Sequence, residues 1–185
     1  MVASPLRLAC FCVVLLQFAS TGFGQDFHLF STLAGKANAG FANGTGLAAK
    51  FSTPWGMVVD AAGNFYVAET GNHAIRKITP GGVVSTFAGE PGWPGYVDGA
   101  GSAARFNTPY GLAIDGAGNL YVAEGGHTIR KITPAGVVST LAGLAGVSGT
   151  TDGVGSAARF NNPLGVAVDA AGDNIYVTDT LNQTI

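Results

Sequence analysis

Carboxylate, imidazole and guanidinium side chains recur in this chain at near-constant intervals. Asp60, Asp115 and Asp169 stand 55 and 54 residues apart, each just before a Gly-Asn or Gly-Asp-Asn turn. Gathered as a ring they would attract a cation. Standing singly before a turn, each carboxylate accepts turn amides, and that structural role is expected. Asp98 and Asp152 open Asp-Gly-x-Gly segments with one carboxylate apiece, whereas a calcium site takes six or more oxygens, usually from several carboxylates. The reading here is a tight turn in which Asp, or Ser102 and Ser156, caps a short Ala-Ala-Arg-Phe helix.

Two further series share repeat positions: the acids Glu69, Glu124 and Asp179, and the bases Lys50, Arg105 and Arg159. Strand direction brings the two series to one face, so an ion pair is expected in every unit. A feature present in every unit is scaffold rather than catalysis, because an active site is needed once. His73 and His127 occupy equivalent turn positions, but Gln183 replaces them in the third copy. Without a third imidazole, no metal and no other cofactor is expected. No Ser/His/Asp order, phosphate-binding glycine loop or pair of unrepeated carboxylates assigns a catalytic residue.

Differences between copies carry more information about binding. Trp93 and Tyr96 occur only in the loop 90–97, and Trp55, Tyr110 and Leu164 vary at the residue between Pro and Gly. Exposed aromatics at a concave mouth suit contact with peptide or glycan.

The elements that position these residues come from one repeated unit. PWGMVVDAAGNFYVAETGNHAIRKITPGGVVSTFAG starts at Pro54, PYGLAIDGAGNLYVAEGGHTIRKITPAGVVSTLAG at Pro109 and PLGVAVDAAGDNIYVTDTLNQTI at Pro163. A period near 50 residues built of short strands points to propeller blades. In the first copy, strand a covers 56–60, b 65–69, c 74–79 and d 83–88, divided by Gly, Asn and Pro turns. Apolar residues at both parities of a and b mark a sheet covered on both faces.

These residues resemble the NHL repeat, through P-x-G-x-x-x-D-x-x-G-N-x-Y-V-x-[DE]-x-x-N-x-x-I-R-K. The DGxGxxARF segments at Asp98 and Asp152 are similar to those of the extended NHL repeats in secreted bacterial and teneurin-type proteins. The resemblance implies an all-β fold: β-propeller blades of four antiparallel strands, here an incomplete open arc of about three blades. The blades cover 54–89, 109–143 and, incomplete, 163–185, after an N-terminal strand at 27–34. That strand matches strand d and is expected to be an unpaired edge or a substitute d strand for the third blade. The family includes scaffolds, RNA and protein binders and a few lyases, the zinc-dependent ones drawing His from different blades.

Charge narrows the range of partners. The 185 residues hold 9 Lys and Arg against 11 Asp and Glu, with no basic block. This offers no footprint for nucleic acid. Residues 1–24 read as a secretory signal: Arg7, then the apolar Leu8 to Phe18, then the small residues up to Gly24. The apolar run falls short of the about 20 residues that span a bilayer. Cleavage after Gly24, or after Gly22, removes Cys10 and Cys12 and leaves 25–185 as a chain without thiols and without membrane attachment. The expectation is a secreted, extracellular or periplasmic, non-enzymatic module that binds protein, peptide or glycan and associates with further blades or copies of itself. The alternative is a piece of a propeller enzyme, a lactonase-like hydrolase or a lyase, with its metal ligands in other blades.

Overall fold

The computed structural model describes residues 13–19 and 27–185. The signal cleavage positions, Gly22 and Gly24, lie outside the described residues. Strands β1 (Val13–Ala19) and β2 (Phe27–Ala34) pair antiparallel. In the full chain the strand 27–34 pairs with β1, which lies within the signal-like residues 1–24. It keeps the station of a strand d all the same: the amide of Gly35 after it donates to the Gly46 carbonyl, as the amide of Gly89 donates to Gly101 in the next unit.

Two five-stranded antiparallel sheets follow. The first contains β3 (Gly44–Thr45), β4 (Pro54–Val59), β5 (Phe65–Glu69), β6 (Ala74–Ile78) and β7 (Val83–Ala88), in the order β3-β7-β6-β5-β4. The second contains β8 (Gly99–Ala100), β9 (Pro109–Ile114), β10 (Leu120–Glu124), β11 (Thr128–Ile132) and β12 (Val137–Gly143), in the order β8-β12-β11-β10-β9. Strands β13 (Pro163–Val168) and β14 (Ile175–Asp179) pair as a third, two-stranded sheet. The fold is all-β, with propeller blades as its units.

Four strands match the expected a to d, but the fifth was not anticipated. Gly44-Thr45 and Gly99-Ala100 are too short and too glycine-rich to give a strand pattern. They hold by pairing with Val83 and Val84 and with Val137 and Val138. Each full unit therefore begins about ten residues before its proline, and its chain crosses from the outer edge of the sheet to the inner strand. The crossing contains the Ala-Ala-Arg-Phe segment, whose start is a single 3-10 turn, Gly101–Ala103, with no side-chain cap. Ser102 and Ser156 therefore do not cap it, and neither does Asp98 or Asp152.

Packing between sheets sets the distance between units. Phe106, Leu112, Leu120, Val122 and Ile132 of the second unit close on Ala68, Ile75 and Ala88 of the first. Strand β10 is buried along its whole length, while β4 alternates and exposes Trp55, Met57 and Val59. At the glycine positions of the inner strands there is no room for a side chain. A Cβ on Gly56 would lie 2.4 Å from the Tyr110 carbonyl oxygen, and one on Gly111 would lie 2.5 Å from that of Leu164. The P-x-G of the repeat is thus a contact requirement between blades.

Gly111→Ala is expected to lower stability by about 1–3 kcal/mol through overpacking against backbone. Gly81→Ala, whose nearest neighbour lies 3.9 Å away and whose counterpart in the second unit is already Ala135, should be near neutral. Urea denaturation of the two variants makes the comparison.

Candidate functional site

The acids of the second series sit at the end of strand b, and each engages the crossing segment. Glu69 accepts the Ser52 amide at 2.6 Å, Glu124 the Asn107 amide at 2.8 Å and Asp179 the Asn161 amide at 2.7 Å. Their expected partners, Lys50, Arg105 and Arg159, do not pair with them. The cation is the arginine of the Ile-Arg-Lys in strand c: Arg76 Nη1 lies 2.8 Å from Glu69, and Arg130 Nη1 lies 3.1 Å from Glu124, with all four side chains fully buried. The reason is reach, because Glu69 and Arg76 lie on adjacent strands of one sheet, diagonal neighbours two residues apart in register. Lys50 and Arg105 take part through their backbone: their carbonyls accept from Arg76 at 3.2 Å and from Arg130 at 3.1 Å. The Arg105 side chain pairs with Glu90 instead, and Arg159 donates to the carbonyls of Ser156 and Ala158. The repeated Ile-Arg-Lys was the sequence signal for Arg76 and Arg130.

Each arginine also holds the strap before its own crossing. Arg76 Nη2 donates to the Ala42 carbonyl and to Asn43 Oδ1, while Arg130 Nη2 donates to the Val97 carbonyl and to Asp98 Oδ1. Asp98 thus pins a strap; it also accepts the amide and hydroxyl of Thr140. The guanidinium carbons lie 5.1 Å and 5.3 Å from the ring centres of Phe51 and Phe106. Burial pushes the Glu69 and Glu124 carboxyls up, against the downward pull of the arginines.

On the opposite face Asp60, Asp115 and Asp169 each close the turn between strands a and b. Asp60 accepts the amides of Ala62 and Asn64 and the Asn64 side chain, and Asp115 repeats this with Ala117 and Asn119. Asp169 accepts from Gly172, Asp173 and Asn174. Burial raises the Asp60 and Asp115 carboxyls, but these hydrogen bonds hold both below the usual carboxylate range. Among the described residues no three His, Cys, Asp or Glu side chains converge on a common point.

The two histidines join neighbouring units. His73, at φ 56°, accepts the Thr108 amide on Nδ1 at 3.1 Å, and His127, at φ 68°, accepts the Asn162 amide at 3.0 Å. Thr108 and Asn162 also have left-handed backbones, at φ 51° and 56°. Gln183 takes the same conformation at φ 59°. Burial lowers the pKa of His73, which suits an unprotonated acceptor.

The aromatics gather on the face of these turns. Trp55 and Tyr110 meet edge to face with ring centres 5.6 Å apart. Tyr110 lies against Gly125, and the Tyr96 ring covers Gly126, where a Cβ would lie 2.0 Å from it. The second unit lacks the asparagine that fills this turn in the other two (Asn72, Asn182), and that deletion admits Tyr96. The Tyr96 hydroxyl accepts from the Asn107 side chain. Trp93 stands 65% exposed, in a loop tied by the Gly92 amide to the Asn72 carbonyl. Trp55 is 61% exposed.

The family model for the NHL repeat matches residues 51–78 and 160–185. NHL repeat-containing protein 2 of Gallus gallus is 31% identical over 93% of this chain and 24% of its own length. The chain thus spans about a quarter of that relative. A structure of unknown function from Bacteroides thetaiotaomicron superposes with TM-score 0.67 at 27% identity, over 76% of this chain and 36% of that one. An auxiliary nutrient binding protein from Bacteroides ovatus does so with TM-score 0.64 at 27% identity, over 76% of this chain and 38% of that one.

Two predictions follow from the buried pair and the imidazole. Arg130→Met leaves Glu124 buried without its cation and should remove about 3–5 kcal/mol. Arg105→Ala breaks a partly exposed pair and should remove about 1 kcal/mol or less; chemical denaturation separates the two. The pKa of His73 is depressed from its ordinary 6.5, so its contribution is complete above 6.5 and is lost as pH falls through the folded value. The melting temperature should therefore fall less steeply from pH 7 to pH 5 in His73→Gln than in the parent.

Proposed function

As the chain belongs to the NHL-repeat family, we propose that it is a binding module, a propeller scaffold that displays an aromatic track to protein, peptide or glycan. The carrying observation is the line Trp55, Tyr110, Tyr96 across one face, flanked by the exposed Trp93. Large aromatics supply much of the energy in such contacts, with little side-chain entropy to lose. The recurrent Asp60, Asp115, Asp169, Glu69, Glu124, Arg76 and Arg130 are engaged in holding straps and turns, whereas these four aromatics are particular to their units. His73 and His127 border the same face and belong to the site through the turns they fix.

A location outside the cytoplasm goes with this reading. It is supported by the signal-like residues 1–24 and by the likeness to a Bacteroides protein described as an auxiliary nutrient binding protein. The exposed stripe Trp55, Met57 and Val59 on β4 supports a second mode of contact, association with further blades or copies.

The test is a screen of the mature chain against glycan and peptide arrays, followed by titration of any ligand against a variant with Trp55, Trp93, Tyr96 and Tyr110 all changed to alanine. Affinity should drop at least about tenfold, at an unchanged fold by circular dichroism. Full affinity in the fourfold variant would place the site elsewhere, the Asp60 and Gly81 face being next.

A further inference from the structure

We propose that Asn43 is a modification site at which the folded chain deamidates itself to aspartate, giving the first unit the strap ion pair that Asp98 makes in the second. Asn43-Gly44 is the one Asn-Gly in the 185 residues, and Asp98-Gly99 and Asp152-Gly153 stand at the same repeat position. The surroundings of the first two coincide. Arg76 Nη2 donates to Asn43 Oδ1 at 2.8 Å, as Arg130 Nη2 donates to Asp98 Oδ1 at 2.7 Å. The glycines hold the same register, Gly44 opposite Val84 and Gly99 opposite Val138.

What the first unit lacks is the second carboxylate oxygen. Asp98 accepts both the hydroxyl and the amide of Thr140, each at 3.0 Å. Thr86 faces Arg76 across the sheet as Thr140 faces Arg130, yet its hydroxyl is buried without a hydrogen-bond partner. An amide has one acceptor oxygen, which Arg76 already uses, and its nitrogen only donates, so Asn43 cannot take the Thr86 amide as Asp98 Oδ2 takes that of Thr140. An aspartate at 43 would answer both Thr86 groups.

The chemistry needs only water. The Gly44 nitrogen gives up its proton and bonds to Asn43 Cγ, the Cγ–Nδ2 bond breaks, and ammonia leaves with a proton from water. Glycine, without a Cβ, allows this close approach of its nitrogen. Asn43 is exposed, and β3 is a two-residue strand at the outer edge of its sheet, so it opens at small cost to release that nitrogen. Water then opens the cyclic imide at Cγ, giving aspartate, or at the main-chain carbonyl, giving isoaspartate. Arg76, anchored by Glu69, donates to the oxygen on Cγ, where negative charge develops in both attacks. The same guanidinium therefore favours closure and directs reopening to aspartate.

The test incubates the purified chain at mildly alkaline pH and follows the tryptic peptide 37–50 by mass spectrometry, with electron-transfer fragmentation to separate aspartate from isoaspartate. Conversion is expected at Asn43 while Asn38 in the same peptide keeps its amide, and the ratio of aspartate to isoaspartate should exceed that formed by the chain in urea at least about threefold. Asn43→Asp should melt above the parent, by less when Thr86→Val is also present. An Asn43 that keeps its amide in the folded chain, a product ratio equal to that in urea, a melting temperature of Asn43→Asp at or below the parent's, or a rise of the same size with Thr86→Val would each overturn the proposal.

Discussion

The buried glutamate and arginine in each full sheet organise everything above them. Taking two charges out of water is unfavourable unless their remaining hydrogen-bonding capacity is used. Here nearly all of it is: one carboxylate oxygen takes the arginine, the other takes an amide of the crossing segment, and the guanidinium fork takes two carbonyls and a strap side chain. The exceptions are the Nε atoms of Arg76 and Arg130, which are buried without a hydrogen-bond partner. Because the partners outside the pair lie in the strap and the crossing, apart from Asn72 and Thr128 beside the turn between strands b and c, the charge pair fixes the course of the chain between strands as well as the sheet itself.

That arrangement leaves strained backbone at the face where the units meet. Residues before proline disfavour helical conformations, yet Thr53, Thr108 and Asn162 are left-handed immediately before Pro54, Pro109 and Pro163. Such conformations persist when the surroundings over-determine them. The Thr53 and Thr108 carbonyls accept the amides of Thr70 and Gly125, and the Thr108 and Asn162 amides are taken by imidazoles of the preceding unit. The histidines thus serve as couplings between units. Gln183, left-handed in the same turn, shows that the position selects for backbone conformation as well as for side-chain nitrogen.

Period, strand type and the turn-closing aspartates were legible in the sequence because they are local: Asp60 and its amides lie within four residues. The pairing of the acids was misjudged because repetition says which residues are equivalent without saying which are opposed. Lys50 and Arg76 recur equally well, and only the register of β5 on β6, with Val67 facing Arg76, puts the second within reach of Glu69. The fifth strand escaped notice because two residues such as Gly44 and Thr45 have no periodicity. Tyr96 was visible as a residue peculiar to one copy, and its role followed from a deletion thirty residues away at Gly125 and Gly126.

Each five-stranded sheet is also one uninterrupted stretch of chain, 44–88 or 99–143, and this bears on how the molecule is made. The pairing of longest span within a sheet joins Gly44 to Val84, while the other strands are successive hairpins. Short loops close at smaller entropic penalty than long ones, so the hairpins form first and the strap locks last. At translation rates of about 5–20 residues per second, a new unit leaves the ribosome roughly every 3 to 11 s, far longer than a hairpin needs. Synthesis thus delivers the blades one at a time, each able to complete its own charge pair before the next presents a face for it to cover.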